Sequence, residues 1–180
     1  MARAENTDAI AKATNRSWNN WVELLASHDD THQSLAACAL ANIHVDVDKR
    51  HWWSQAVAVA YEQHVGRRQP GQRLDGKFEV AVSKTINHAR ADVASAWHDW
   101  FDAYEDINGC LVENTRTSST DIRDYTRADA GDAKLEAAIE SKTATKSLLV
   151  VSMSQLASDD ARSQWRDYWK DQLSAFADSL

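Results

Sequence analysis

The fold is decided at residues 67–83, where the sequence reads RRQPGQRLDGKFEVAVS. This stretch contains the single proline, Pro70, and two of the five glycines, Gly71 and Gly76. Such residues interrupt regular structure. Apolar residues recur at helical spacing before the stretch, whereas residues 78–83 alternate with a period of two, as in a half-buried strand. The change of period predicts a domain boundary directly after Pro70.

The first predicted domain, residues 1–70, is a helical bundle. Four apolar stretches each follow a side chain that can accept a hydrogen bond from the first turn of a helix. The fourth helix, over residues 49–65, is apolar on all sides at its centre, so we expect it to be buried and to end at Gly66. The predicted N-caps are Thr7 or Asp8, Ser17, Thr31 and Asp48.

The second predicted domain, residues 71–180, combines strands with two helices. A helix follows the first strand, and a long helix capped by Ser158 comes last. Alternating residues between them predict antiparallel strands joined by hairpin turns. The sequence therefore predicts an α+β fold, in which a helical bundle precedes an antiparallel sheet packed on a long C-terminal helix. The strands are predicted at 111–117, 122–127, 135–139 and 149–153, with turns at 129–132 and 141–144.

The tryptophans mark the predicted core. All eight occur in four close pairs, and each pair lies in a predicted helix. Burial removes about 150–250 Å² of each side chain from water, which contributes at most about 4–6 kcal/mol. The pairs are Trp18/Trp21, Trp52/Trp53, Trp97/Trp100 and Trp165/Trp169.

Charge and cysteine usage narrow the classes of function. The net charge is -7, whereas binding to nucleic-acid phosphates requires clustered lysine and arginine. The dense basic cluster, Arg67, Arg68 and Arg73, lies in the predicted linker. Cys38 and Cys110 lack the spacing of a zinc site or a disulfide framework. The sequence disfavours nucleic acid as the partner.

The sequence predicts a cytoplasmic protein. Residues 1–8 are polar and lack the apolar region of a secretory signal. No stretch approaches the roughly 18 apolar residues that a membrane span requires, so we expect no membrane partner.

No motif predicts a catalytic residue, a metal site or a cofactor. The most metal-like segment, residues 44–51, has the composition of an interhelical loop and lacks a second element with the remaining ligands. His28 and His32 are four residues apart, but the helix predicted to start at Thr31 separates them. Neither a GxSxG motif nor a glycine-rich phosphate loop is present.

The aromatic faces of the two helices in the second domain form the candidate site. Core packing accounts for them, and the alternative is that part of each face lines an apolar cavity between helix and sheet. Both interpretations hold if the cavity is the incompletely filled part of the core. The candidate ligand-binding residues are Trp97, Trp100, Tyr104, Trp165, Tyr168 and Trp169.

The order of strand, helix, antiparallel strands and long helix resembles the helix-grip fold of the START and Bet v 1-like superfamily. Residues 71–85, Ala96-Trp97, residues 146–151 and Trp169-Lys170 resemble bacterial proteins of the branch related to the activator of heat-shock-protein ATPase. Residues 7–69 resemble a small helical domain of unknown function that precedes that module. The residues that carry this second likeness include Arg16-Ser17-Trp18, Trp21, Thr31-His32, Trp52-Trp53-Ser54-Gln55 and Tyr61-Glu62-Gln63.

The resemblance implies a reduced helix-grip domain over residues 71–180. About 45 residues lie between its two helices, enough for about four strands of about five residues each, and the family usually has more. Members of the superfamily include lipid carriers, hormone receptors, cyclases and co-chaperones. The resemblance therefore implies binding of a small apolar ligand or a protein partner through this domain.

Three further hypotheses stay open at this stage. In the first, the protein is an enzyme that uses the same cavity through His88 or His98. In the second, it is a regulator whose helical bundle binds DNA. In the third, the helix with Trp52 and Trp53 mediates formation of a homodimer.

Overall fold

The computed structural model describes residues 4–28 and 31–180. Predictions that concern residues 1–3 lie outside the described residues. The chain divides into two compact units, Met1–Pro70 and Gly71–Leu180. In the described ranges it is an α+β structure with six helices and one curled antiparallel sheet of six strands. None of these six helices is both long and apolar enough to cross a membrane.

The first unit contains four helices around an apolar core. They are α1 (Ala4–Thr14), α2 (Trp18–Leu25), α3 (His32–Asn42) and α4 (Arg50–His64). Trp21, Leu25, Leu35 and Val57 are fully buried between them. The Trp21 indole also donates a hydrogen bond to the Thr14 hydroxyl over 3.0 Å, which ties α2 to the end of α1.

Three of the predicted helix caps are confirmed. The hydroxyls of Ser17, Thr31 and Ser158 each accept a hydrogen bond from the backbone N–H three residues further along, over 3.3, 3.2 and 3.1 Å. Gly66 follows α4 with a φ of 78°, the left-handed conformation of a helix C-terminus. These signals are local, because each depends on one side chain and the turn beside it.

Two predicted caps are wrong. Helix α1 begins at Ala4, so Thr7 and Asp8 lie within it; Ala and Glu favour helix and extend it toward the N-terminus. At α4 the N-cap is Lys49, with a φ of 54° and no side-chain hydrogen bond. The left-handed turn at Lys49 leaves Asp48 one residue too early to cap the helix.

The second unit is a curled sheet with two helices. The strands are β1 (Phe78–Ile86), β2 (Asp106–Ile107), β3 (Cys110–Ser119), β4 (Arg123–Ala130), β5 (Ala133–Thr143) and β6 (Lys146–Leu156). The helices are α5 (Arg90–Asp102) and α6 (Asp159–Asp178). The sheet order is β1-β6-β5-β4-β3-β2, with antiparallel neighbours. This half-barrel with its long C-terminal helix is compatible with a helix-grip fold.

Both helices pack on one face of this sheet, which we call the inner face. Helix α6 contacts β1 and β6, and α5 contacts β5 and β6. Inner-face side chains such as Leu135, Val151 and Met153 are buried in the core that the helices cover. The opposite surface, here called the outer face, carries the alternate residues of each strand.

The four strands predicted after α5 are present as β3 to β6, but they are 8–11 residues long, and the two-residue β2 was not predicted. The turn between β4 and β5 consists of Gly131 and Asp132, within the predicted segment. The turn predicted at 141–144 is misplaced, because β5 continues to Thr143 through a register shift after Ser141. A shift of this kind depends on the partner strand, which periodicity does not report.

Candidate functional site

The six predicted ligand-binding residues come together at the inner face. Two of them lie on α5, Tyr104 follows its end, and the other three lie on α6. Their rings form a continuous series of contacts that links the two helices. The series runs Tyr104, Trp100, Trp97, Trp169, Tyr168 and Trp165, with centroid distances of 4.6, 5.3, 6.2, 5.3 and 5.8 Å. We call these six residues the aromatic cluster.

The cluster has a buried floor and a partly exposed rim. Trp97 and Trp169 are 0% exposed and Trp165 is 6% exposed. Trp100, Tyr104 and Tyr168 are half-buried. Phe101 and Phe176 add ring contacts to Trp97 at 5.6 and 5.3 Å, so the floor is closely packed.

The two indoles of the floor that are 0% exposed, Trp97 and Trp169, differ in their hydrogen bonding. Trp97 Nε1 donates to the Thr126 hydroxyl of β4 over 3.2 Å. Trp169 Nε1 is buried and has no hydrogen-bond acceptor within the described part of the chain. Arg50 Nε in the first unit is similarly unpaired, but the same guanidinium donates through Nη2 to the Leu40 carbonyl. An unsatisfied buried donor costs about 1–3 kcal/mol.

The hydroxyl groups of the cluster lie at its rim. The Tyr104 hydroxyl donates to Gln172 Oε1 over 3.5 Å. Burial raises the pKa of the Tyr168 phenol, while a hydrogen bond from the Asn108 backbone acts in the opposite direction. Tyr168 is therefore a neutral hydroxyl at physiological pH, and the rim can exchange hydrogen bonds without carrying a charge.

Two surface depressions lie away from the aromatic cluster. In the second unit, a polar groove of about 660 Å³ crosses the outer face of the sheet. In the first unit, an apolar hollow of about 380 Å³ lies between α1 and α4 and is lined in part by Trp52 and Trp53. Trp52 is 61% exposed. Formation of a homodimer through this helix stays a prediction, which sedimentation would test.

No protein-family model matches the chain, and no curated protein resembles it at a significant level. The description of the second unit therefore rests on its own half-barrel sheet and C-terminal helix.

The histidines weighed from the sequence are dispersed. His88 is exposed and His98 is half-buried on α5, and within the described residues neither imidazole stacks on a ring of the aromatic cluster. His44 pairs with Asp46 at the surface over 3.2 Å. In the described ranges, no group of three or more His, Cys, Asp or Glu side chains is arranged to hold a metal ion.

Sequence reasoning missed a polar network in the first unit. Nδ1 of His32 lies 3.1 Å from Glu62 Oε1, and Nε2 lies 2.8 Å from Gln55 Oε1. The other oxygen of Glu62 accepts a hydrogen bond from Arg68 over 3.0 Å. The hydrogen-bond partners of His32 are therefore side chains of α4, and His28 is not among them. The spacing of Gln55 and Glu62, seven residues on one helix face, was the available signal.

Proposed function

We propose that the protein is a binding protein of the START and Bet v 1-like, helix-grip type. Its ligand is a small apolar molecule that carries one hydrogen-bond acceptor and binds at the aromatic cluster. The half-barrel sheet, the long C-terminal helix and the six contacting rings support this proposal.

The observation that carries the proposal is the unpaired indole N–H of Trp169. Buried polar groups almost always have a hydrogen-bond partner, so an exception at the centre of a candidate site requires an explanation. A carbonyl or carboxyl oxygen of a ligand would supply the missing acceptor. The apolar remainder of the ligand would lie against the rings of Trp97 and Trp165.

The half-buried rim provides the entry route in this proposal. Trp100 and Tyr168 contact the floor residues Trp97 and Trp169, and Tyr104 contacts Trp100. Rotation of these rings exchanges contacts with the floor for contacts with the ligand, which keeps the apolar surface out of water. We propose that the protein binds this ligand without catalysing a reaction on it.

Indole NMR tests this proposal. In the full chain labelled with ¹⁵N-tryptophan, each of the eight tryptophans gives one indole signal, and Trp169→Phe assigns the signal of interest. The probes are medium-chain fatty acids and aryl ketones. We expect a binding probe to move the Trp169 signal downfield through hydrogen bonding and to leave the signal of exposed Trp52 in place. The proposal is overturned if no probe moves the Trp169 signal at about 1 mM, which corresponds to a free energy of about -4 kcal/mol.

A protein partner is the second candidate, and the edge of the sheet favours it. Strand β2 pairs only with Cys110 and Leu111, so the exposed residues 113–119 of β3 form an edge that can add a strand from another protein. The resemblance suggests a heat-shock ATPase as the partner. Hydrogen exchange would show protection of the β3 amides on its addition, whereas unchanged exchange together with no complex in sedimentation would exclude this partner.

A further inference from the structure

The groove on the outer face is built from two neighbouring rows of side chains. The register of β3 to β6 places residues of successive strands side by side. Arg73 and Glu79 lie at the β1 end of the groove, whose volume is about 660 Å³. The first row is Arg116, Arg127, Glu136 and Ser152, and the second is Asp129, Lys134 and Ser154. Asn114, in the irregular part of β3, lies beside the second row through its hydrogen bond to Asp129.

Every carboxylate of the groove is already paired with a cation. The pairs are Arg127–Glu136, Lys134–Asp129 and Arg73–Glu79, at 2.7, 2.8 and 3.0 Å. Asp129 also accepts a hydrogen bond from the Asn114 amide over 2.9 Å. Arg116 forms no ion pair with any described residue, so the groove has one surplus positive charge.

The surplus cation lies beside a second arginine. Arg116 and Arg127 are directly opposite each other across β3 and β4, and like charges in such a cross-strand pair destabilise a sheet. Arg127 is held in place by Glu136, by the Ser118 hydroxyl at 3.2 Å and by the Tyr125 ring at 4.5 Å. The charge of Arg116 acts on Asp129, but Arg116 forms no such hydrogen bond or ring contact with a described residue and can turn toward an anion that Arg127 also contacts.

Free hydroxyls line the other end of the two rows. Ser152 and Ser154 are half-buried, and neither hydroxyl has a hydrogen-bond partner among the described residues. Three strand spacings of about 4.8 Å separate β3 from β6. A ligand anchored at Arg116 would therefore have to extend about 14 Å to reach Ser152.

We propose that this groove binds a phosphate group between Arg116 and Arg127, with the rest of the ligand directed toward Ser152 and Ser154. A phosphate dianion carries two charges and several acceptor oxygens, so it can satisfy two adjacent guanidinium groups at once, which a single carboxylate does less well. The site lies on the face of the sheet opposite the aromatic cluster. It is independent of the ligand proposed there.

Calorimetric titration of the full chain with inorganic pyrophosphate tests the proposal. We expect binding that weakens about tenfold or more in Arg116→Ala, because charge-assisted hydrogen bonds are lost. The matched control is Arg123→Ala, on the same sheet but outside the groove and paired with Glu140 at 2.7 Å. The dissociation constant of Arg123→Ala for pyrophosphate should stay within about twofold of that of the unsubstituted protein.

The outcomes separate site binding from general attraction and identify the source of the phosphate. If Arg116→Ala and Arg123→Ala weakened pyrophosphate binding equally, binding would depend on net charge alone and the proposal would be overturned. The absence of any heat of binding with pyrophosphate would also overturn it. Vesicles of phosphatidylcholine with and without phosphatidic acid form the second arm. Binding that requires phosphatidic acid and Arg116 assigns the groove to a lipid headgroup, whereas pyrophosphate binding without vesicle binding assigns it to a soluble phosphate compound.

Discussion

The indole of Trp97 donates a hydrogen bond to the hydroxyl of Thr126 over 3.2 Å and thereby joins α5 to β4. Trp97 is fully buried and Thr126 is 2% exposed. A bond of this kind contributes about 0.5–1.5 kcal/mol, but removing one partner leaves the other unsatisfied at a cost of about 1–3 kcal/mol. The pair is therefore both a packing contact and a constraint on where α5 lies.

Thr126→Val is expected to destabilise the second unit by about 1–3 kcal/mol, because it leaves the Trp97 N–H without an acceptor. Urea unfolding with hydrogen exchange of the β4 to β6 amides would report this unit separately. The matched control is Thr117→Val, at the exposed position directly opposite Thr126, with an expected change within about 0.5 kcal/mol. Equal effects of the two substitutions would contradict the prediction.

Trp169→Phe is expected to destabilise the protein less than Trp97→Phe, by a difference of about 1 kcal/mol. Both indoles are 0% exposed, so the loss of apolar volume is matched. Only Trp97 loses a hydrogen bond and leaves Thr126 unpaired, since Trp169 has no acceptor in the described structure. The same exchange experiment measures both variants, and a larger loss for Trp169→Phe would show that its N–H is satisfied.

The sequence was informative where structure depends on neighbouring residues. The caps Ser17, Thr31 and Ser158 and the alternation of β5 and β6 were predictable, because each is a local pattern. The six residues of the aromatic cluster were predictable as a set from helical spacing, but the missing acceptor of Trp169 depends on every residue packed around it.

The outer groove was not predictable from the sequence. Arg116 and Arg127 are eleven positions apart and become neighbours only through the register of β3 and β4. That register shifts between Glu113 and Arg116, where Asn114 adopts a φ of 54°. A bulge of one residue decides which side chains share a face, and neither composition nor periodicity predicts it.

Gly71→Ala is expected to destabilise the second unit by about 2–4 kcal/mol. Gly71 has a φ of 77°, and an added Cβ would lie 2.6 Å from Arg162 Cδ and 3.0 Å from the Glu79 carbonyl oxygen. Arg162 is buried and bonded to Asp159, so it cannot move freely. Thermal unfolding would measure the loss.

The control for this substitution is Gly76→Ala. Its φ of 81° imposes similar backbone strain, but nothing lies within 4 Å of the added Cβ, so a loss of about 1–2 kcal/mol is expected. If Gly76→Ala destabilised the protein as much as Gly71→Ala, the close contact with Arg162 would contribute nothing to the loss of stability.

The ion pair at Asp129 predicts a pH dependence. The hydrogen bond from Lys134, followed by that from Asn114, lowers the pKa of the Asp129 carboxyl below its ordinary value. The carboxylate therefore stabilises the folded state above the unfolded-state pKa of about 3.9, and this contribution is lost as the pH falls through the lower, folded-state pKa. Lys134→Met should raise the pKa toward 3.9 in a ¹³C NMR titration. Lys142→Met, which removes a lysine bonded to Thr85 instead, should leave it unchanged, and a shift in that control alone would refute the assignment.

The two free thiols are expected to differ in reactivity. Burial raises the pKa of the Cys38 thiol, and the field of Arg16 only partly opposes this; the thiolate is the reactive form. Cys38 is 8% exposed, whereas Cys110 is partly exposed. With a disulfide reagent near pH 8, Cys110 of the folded protein should react rapidly and release one equivalent of the reagent's thiol. Cys38 should release the second equivalent only when the protein unfolds. Cys110→Ser should remove the rapid phase and Cys38→Ser should retain it, because the packing of α3 keeps Cys38 both neutral and inaccessible. Rapid reaction of Cys110→Ser would mean that α3 opens more readily than its buried contacts imply.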